Sequence, residues 1–218
     1  MGVNVVRLPQ KLIQSSPERV FEIAREIAIR IARERNAYYI NQHENIHNVE
    51  AHYYTTAREI WSQTQGRIDA FVAGVGTGGT LFGIARYLKE RNPNIKIIAV
   101  EPKNSKLHMV IGGKKYTEQE GESIIEGIGV KRITKIMDLK LVDDVIVVED
   151  SKAVETVVKL ARYEGILSGL SGGANVYAAI SIAEKLGSGK NVVTVIPDSI
   201  FKYINIVYEY MRSKETPK

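Results

Sequence analysis

Ile68-Asp69-Ala70-Phe71-Val72-Ala73-Gly74-Val75-Gly76-Thr77-Gly78-Gly79-Thr80 is the stretch on which the fold turns. Its first half, Ile68 to Ala73, is an apolar run of the length of a buried strand. Its second half, Gly74 to Thr80, is glycine-rich with two threonines, and a helical pattern follows from Thr80 to Arg91, stopped by Asn92-Pro93. Such a turn leaves backbone amides and the positive end of a helix dipole at the carboxyl end of a strand, a geometry that binds an anion, usually a phosphate. Glycines are needed there because side chains would keep the ligand from the backbone. The same turn without a ligand is the plainer reading.

Outward from that turn, helices alternate with short apolar strands. Upstream, Val3 to Leu8 is strand-like. Ser15-Ser16-Pro17-Glu18 combines a capping serine, a first-turn proline and a capping-box glutamate. Behind it Val20, Phe21, Ala24, Ile27, Ala28, Ile31 and Ala32 fall at helical spacing to about Arg35. Tyr38-Tyr39-Ile40 reads as a strand, Asn41 to Asn48 as a polar loop, and Ala51 to Gln65 as one helix. Downstream, Ile95 to Val100 and Val145 to Val148 read as strands, with turns at Gly112-Gly113 and Gly127-Ile128-Gly129 between them. A helix capped by Asp150 or Ser151 runs to Gly165, Leu167 to Gly173 is a loop, and Ala174 to Leu186 is a helix. Val192 to Ile196 is a last strand and Tyr203 to Met211 a last helix. Strands separated by helices predict an α/β fold, a mostly parallel sheet with helices on both faces.

Composition excludes several classes. The chain has 218 residues, 44% hydrophobic and 25% charged, the balance of an ordinary globular protein. Thirty basic against 25 acidic residues leave a net charge of +5, scattered rather than striped, which argues against a nucleic-acid partner. With no cysteine there is no disulfide, thiolate nucleophile or Cys-ligated metal. No apolar run has the length of a membrane span, and no signal peptide is evident, so the expectation is a cytoplasmic protein with no membrane association.

Two motifs invite other chemistry. Gly74, Gly76 and Gly79 satisfy G-x-G-x-x-G, and Glu101 ends the next strand about twenty residues on, as a dinucleotide fingerprint requires. An NAD-dependent oxidoreductase is therefore one reading, although such fingerprints usually open the first unit of a sheet. His43-Glu44-Asn45-Ile46-His47 spells the zinc-peptidase H-E-x-x-H. Its asparagine-rich flanks disfavour the long helix that would put both imidazoles on one face, so no metal site is expected.

Taken together, the segments Tyr39 to Asn45, Glu50 to Tyr53, Ile60-Trp61, Asp69 to Pro102, Glu126 to Gly129, Glu164 to Ala174 and Pro197-Asp198-Ser199 resemble the cysteine synthase (O-acetylserine sulfhydrylase) and cystathionine β-synthase family of pyridoxal-phosphate enzymes. The resemblance runs from about Gly2 to Tyr203. It implies the fold type II architecture, tryptophan synthase β-like, with residues 1–44 belonging to a smaller domain and 45–218 to a larger cofactor-binding one. The implied cofactor is pyridoxal phosphate and the implied reaction is β-replacement, making cysteine from O-acetylserine, O-phosphoserine or serine and sulfide. The G-T-G-G-T form of the loop points to β-replacement rather than to the serine and threonine dehydratases of the same fold. The implied assembly is a homodimer.

By the same resemblance Gly76, Thr77, Gly78, Gly79 and Thr80 cradle the cofactor phosphate. Ser199 hydrogen-bonds the pyridine nitrogen, with Asp198 as its rival. Gln42 helps bind the substrate carboxylate, and Gly127 and Gly129 line the pocket near the amino acid. A serine at the pyridine nitrogen does not hold a proton there as a carboxylate would, which makes the ring a weaker electron sink.

The chain also departs from the family. The Schiff-base lysine and the loop that grips the substrate carboxylate lie in the family's first third, and the expectation is a chain truncated at the N-terminus that begins after them. Lys11, Lys103, Lys106, Lys114 and Lys115 occupy no matching position, and Ile200-Phe201-Lys202 stands where the family often has Gly-Glu-Arg. No catalytic residue is therefore assigned, and the chain alone is expected to be inactive. The alternative from another class is a non-catalytic remnant that keeps the phosphate loop and binds cofactor or a partner.

Overall fold

The computed structural model describes residues 2–10, 19–112 and 123–215, and the chain divides into two compact units, Met1–Asn41 and Gln42–Lys218. In the larger unit four parallel strands, β1 (Ala70–Gly74), β2 (Lys96–Pro102), β3 (Asp144–Val148) and β4 (Val192–Thr194), lie in the order β3-β2-β1-β4. β1 is therefore interior, with Gly74 opposite Val100 and Val72 opposite Thr194. The expected mostly parallel α/β sheet is what the chain forms.

Strand alternation sorts the core into two layers. Phe71, Ala73, Ile97 and Ala99 face α2 (His47–Tyr54), α3 (Thr56–Gln63) and α4 (Gly79–Arg91), where they meet Val49, Ile60, Leu81, Ile84 and Leu88. Ala70, Val72, Ile98 and Val100 face the opposite layer, α6 (Asp150–Lys159), α7 (Leu170–Leu186) and α8 (Ile204–Glu215), through Val154, Val157, Leu170, Ala174, Ala178 and Val207. A short α5 (Leu107–Gly112) follows β2. No helix among the described residues is long and apolar enough to cross a membrane.

Several local expectations are corrected. Val3 to Leu8 and Tyr38 to Ile40 are not strands. Val3, Val5, Val6, Tyr38 and Ile40 are all exposed, and the described residues of their unit offer no strand to complete a ladder. The helix α1 of that unit runs Val20–Glu34 and buries none of its residues; its expected cap at Ser15–Glu18 lies outside the described residues, as do Gly113, Lys11, Lys114 and Lys115. The single helix expected over Ala51–Gln65 starts earlier, at His47, and is broken at Thr55. There the threonine hydroxyl donates to the Ala51 carbonyl at 2.7 Å, a side-chain competitor for the helical ladder.

The loop expected over Leu167–Gly173 ends sooner, because α7 begins at Leu170 and carries Ser171-Gly172-Gly173 in its first turn. Glycine there serves packing: a Cβ on Gly173 would stand 2.4 Å from the Ala153 carbonyl oxygen of α6. At the other end of that connection α6 passes into a π-turn, Leu160–Glu164, closed by Gly165 in the left-handed region.

Two outcomes follow from this packing. Phe71→Ala, at a fully buried position of β1, should cost about 3–5 kcal/mol in denaturant unfolding, whereas Val5→Ala, at an exposed position, should change stability by less than about 0.5 kcal/mol. Half-buried His52 sits between α2 and α4, and burial holds its imidazole pKa below the ordinary value. The unfolded chain therefore takes up that proton first, and stability should fall as the pH drops below about 6.5. His52→Gln should flatten that part of the pH–stability curve, read from unfolding midpoints between pH 7.5 and 5.

Candidate functional site

β1 ends at Gly74, and the chain turns through Gly76, Thr77 and Gly78 into α4. Gly78 is the turn's hinge, with φ of +98°, a left-handed conformation that a side chain strains and that would also drive a Cβ to 2.8 Å from the Phe82 ring. The loop and the first turn of α4 consequently border a cleft of about 230 Å³ at the carboxyl end of the sheet. Gly76, Thr77, Gly78, Gly79, Thr80 and Gly127 all line it. A Cβ on Gly76 would sit 2.3 Å from the Gly127 carbonyl oxygen, so the two glycine turns close on each other from opposite sides. Gly129 holds the second turn in place by donating its N–H to the Val75 carbonyl at 2.8 Å, without itself lining the cleft.

Behind the loop, two side chains of the preceding helix support its threonines. Asn48 Nδ2 donates to Thr77 Oγ1 at 2.9 Å and to the Gln42 carbonyl at 2.8 Å. His52 Nε2 lies 3.2 Å from Thr80 Oγ1, and its Nδ1 lies 3.1 Å from Thr56 Oγ1. Gln42 thus reaches the loop through its backbone, while its exposed side chain does not line the cleft.

The opposite wall comes from Ser171, Asn175, Asp198, Lys202 and Tyr203, none of which except Asp198 was singled out for the site from the sequence. Asn175 is buried; its Nδ2 donates to the Val195 carbonyl at 2.9 Å, and its Oδ1 is a buried acceptor with no partner among the described residues. Tyr203 donates its hydroxyl to Asp198 Oδ2 at 2.8 Å, and burial with this bond pushes the phenol pKa up. Lys202 pairs with Glu126 across the rim, and that bond raises the ammonium pKa. Ser199 does not line the cleft. Its backbone bridges Ser168, while Gly169 N–H donates to the Asp198 carbonyl at 3.0 Å, so the segment carrying both candidates is pinned to the start of α7.

The competing motifs meet a different fate. Glu101 is fully buried and accepts from the Leu107 and His108 amides, both at 2.9 Å, and is paired with the His108 ring. Both carboxylate oxygens are spent on the start of α5, leaving none for a ribose. His43 lies in a turn and His47 opens α2, so the two imidazoles do not share a helix; His47 Nδ1 instead lies 2.6 Å from Glu50 Oε2.

Comparison with known proteins bears on the same region. Residues 1–198 match the family described as pyridoxal-phosphate dependent enzyme. Cystathionine beta-synthase of Apis mellifera is 39% identical over 212 residues, covering 96% of this chain and 41% of that protein. Cysteine synthase 1 of Neurospora crassa is 40% identical over 212 residues, covering 95% and 55%. The crystal structure of O-acetylserine dependent cystathionine beta-synthase from Helicobacter pylori superposes with a TM-score of 0.79 at 34% identity, over 94% of this chain and 62% of that one. The chain thus spans about half the length of the curated relatives it matches. Because the match takes in the glycine loop, the 127–129 turn and Pro197-Asp198 at the cleft's far edge, the chain belongs to the pyridoxal-phosphate dependent enzyme family.

Proposed function

We propose that the cleft is the cofactor and substrate half of a β-replacement site that makes cysteine from an activated serine and sulfide. The observation that carries this reading is the anion cradle itself. The loop residues Gly76 to Thr80 line the cleft at the end of β1, where helix α4 begins with its first N–H groups unpaired within the helix, and Gly76 packs so close to the Gly127 carbonyl that a Cβ has no room. The residues present suit pyridoxal phosphate: Gly76 to Thr80 would hold its phosphate, and the unpartnered Oδ1 of Asn175 marks the facing wall as one built around a polar occupant. When bound, that cofactor supplies an electron sink for the carbon bearing the substrate's amino group.

The chain's own residues then have separable tasks. The loop amides and α4 dipole neutralise the phosphate and fix one end of the cofactor. Ser199 is assigned to the pyridine nitrogen on the family resemblance, with Asp198 as its rival: Asp198 lines the cleft and Ser199 does not, but the Asp198 carboxylate is already engaged by the Tyr203 hydroxyl. On the family resemblance alone, Gln42, whose side chain lies off the cleft, is assigned to the substrate carboxylate, and the turn from Gly127 to Gly129, of which Gly127 lines the cleft, to its amino-acid side. Lys202 is the only lysine among the described residues lining the cleft, and its bond to Glu126 keeps it a charged ammonium, a poor nucleophile. The cleft residues therefore bind and orient without providing a Schiff-base amine.

The unit Met1–Asn41 is assigned to the smaller domain, and a second copy of the chain is assigned as its partner in a homodimer. Both rest on the family resemblance and on an α1 that buries none of its apolar residues.

Titration of the 218-residue chain with pyridoxal phosphate and with inorganic phosphate tests the reading. Both should bind and compete, and Gly78→Val should weaken both by more than about tenfold, since it strains the hinge and strikes Phe82. Absence of binding to the parent chain would remove the basis for the assignment. With O-acetylserine and sulfide the same chain should form little cysteine, and borohydride should fix no cofactor on it. Rapid turnover or a reduced lysine adduct would show that a lysine here does what Lys202's charge argues against.

A further inference from the structure

Asn48 has not been placed in the site by its residue type or by the cleft it stands behind, yet its contacts fix a direction. The Gln42 carbonyl can only accept, so the amide nitrogen of Asn48, not its oxygen, faces Gln42 at 2.8 Å. The same nitrogen lies 2.9 Å from Thr77 Oγ1, and its second hydrogen is therefore directed at that hydroxyl. The loop is packed directly against the carboxamide, since a Cβ on Gly79 would lie 1.9 Å from Asn48 Oδ1. Thr77 Oγ1 consequently spends a lone pair on Asn48 and keeps its own proton for the cleft, which it lines.

We propose that Asn48 is a positioning residue that sets the polarity of the Thr77 hydroxyl, holding it as a donor toward the anion bound by the glycine loop. The inference rests on the reading of that loop as a phosphate cradle and adds to it a residue outside the cradle. A free hydroxyl would rotate and share its proton among several acceptors, whereas one already accepting behind donates forward. A charge-assisted bond to a phosphate oxygen gains most from such fixing. An acceptor at position 48 would reverse the effect, drawing the Thr77 proton backward and turning oxygen lone pairs toward the anion.

The test is a double-mutant cycle read by calorimetric titration of inorganic phosphate into the full chain, with unfolding midpoints recorded for each variant. Asn48→Asp, nearly isosteric but unable to donate, and Thr77→Val should each weaken phosphate binding about tenfold. The double variant should bind no more weakly than either single one, because without the hydroxyl there is no polarity to set. Asn48→Ala, which leaves the hydroxyl free to rotate, should cost about threefold in the parent background and nothing in the Thr77→Val background, and it carries the test if the aspartate variant fails to fold. Additive losses, near a hundredfold in the double variant, would overturn the inference and assign the effect of Asn48→Asp to charge repulsion or altered packing. If the parent chain binds phosphate and no coupling appears, only Asn48's role fails. If it binds none, the cradle reading falls and this inference with it.

Discussion

The pairing of β1 between β2 and β4 is the constraint from which the cleft follows. A parallel strand buried on both faces delivers its carboxyl end to a single edge of the sheet, where no further strand residue can cover it. Val75 extends that pairing by donating its N–H to the Val100 carbonyl at 3.0 Å, and its own carbonyl accepts from Gly129 at 2.8 Å. One residue thus anchors both glycine turns, the loop that continues into α4 and the turn that folds down over it. Gly76 and Gly127 approach backbone to backbone, with no room for a Cβ on Gly76, so this part of the cleft does not depend on side chains that could change rotamer. A cradle fixed in this way is organised before any ligand arrives, which is what tight binding of a phosphate by backbone amides requires.

How legible this was depended on the range of the interactions involved. The strand Ala70–Gly74, the loop and α4 are local in sequence, and an apolar run followed by glycines specifies them within a few residues. β2 and β3 were readable because each is a local apolar run. Val3–Leu8 and Tyr38–Ile40 have equally apolar runs but need a ladder partner that composition cannot supply, so strand propensity without pairing came to nothing. Ser171-Gly172-Gly173 misled in the opposite direction. Glycines normally interrupt a helix, and the close approaches of Ser168 to Gly172 and of Ala153 to Gly173 explain why they lie inside α7.

The site shows the same division. Its loop residues were legible, as was the turn at Gly127. Asn48, His52 and Asn175 were not, because their significance lies in what they meet: Thr77, Thr80 and Val195, at separations of 29, 28 and 20 residues. Glu101 is the converse case. Its spacing from the loop suited a ribose acceptor, but the two amides that open α5 claim the carboxylate, and no spacing rule sees a cap formed six residues away.

The electrostatics of the cleft then assign its polarity to backbone rather than to charged side chains. Lys202 lines the cleft, but it is mostly exposed and already bonded to a mostly exposed Glu126, so the pair presents little net field to a ligand. On the same wall the Asp198 carboxylate is engaged by Tyr203, and the side-chain space of Gly169 is given over to it. What remains uncompensated is the set of loop amides, the dipole of α4 and the hydroxyls backed by Asn48 and His52. An anion drawn to this chain is therefore held at the carboxyl end of β1, and replacing Lys202 with an arginine would alter the rim while leaving that attraction where it is.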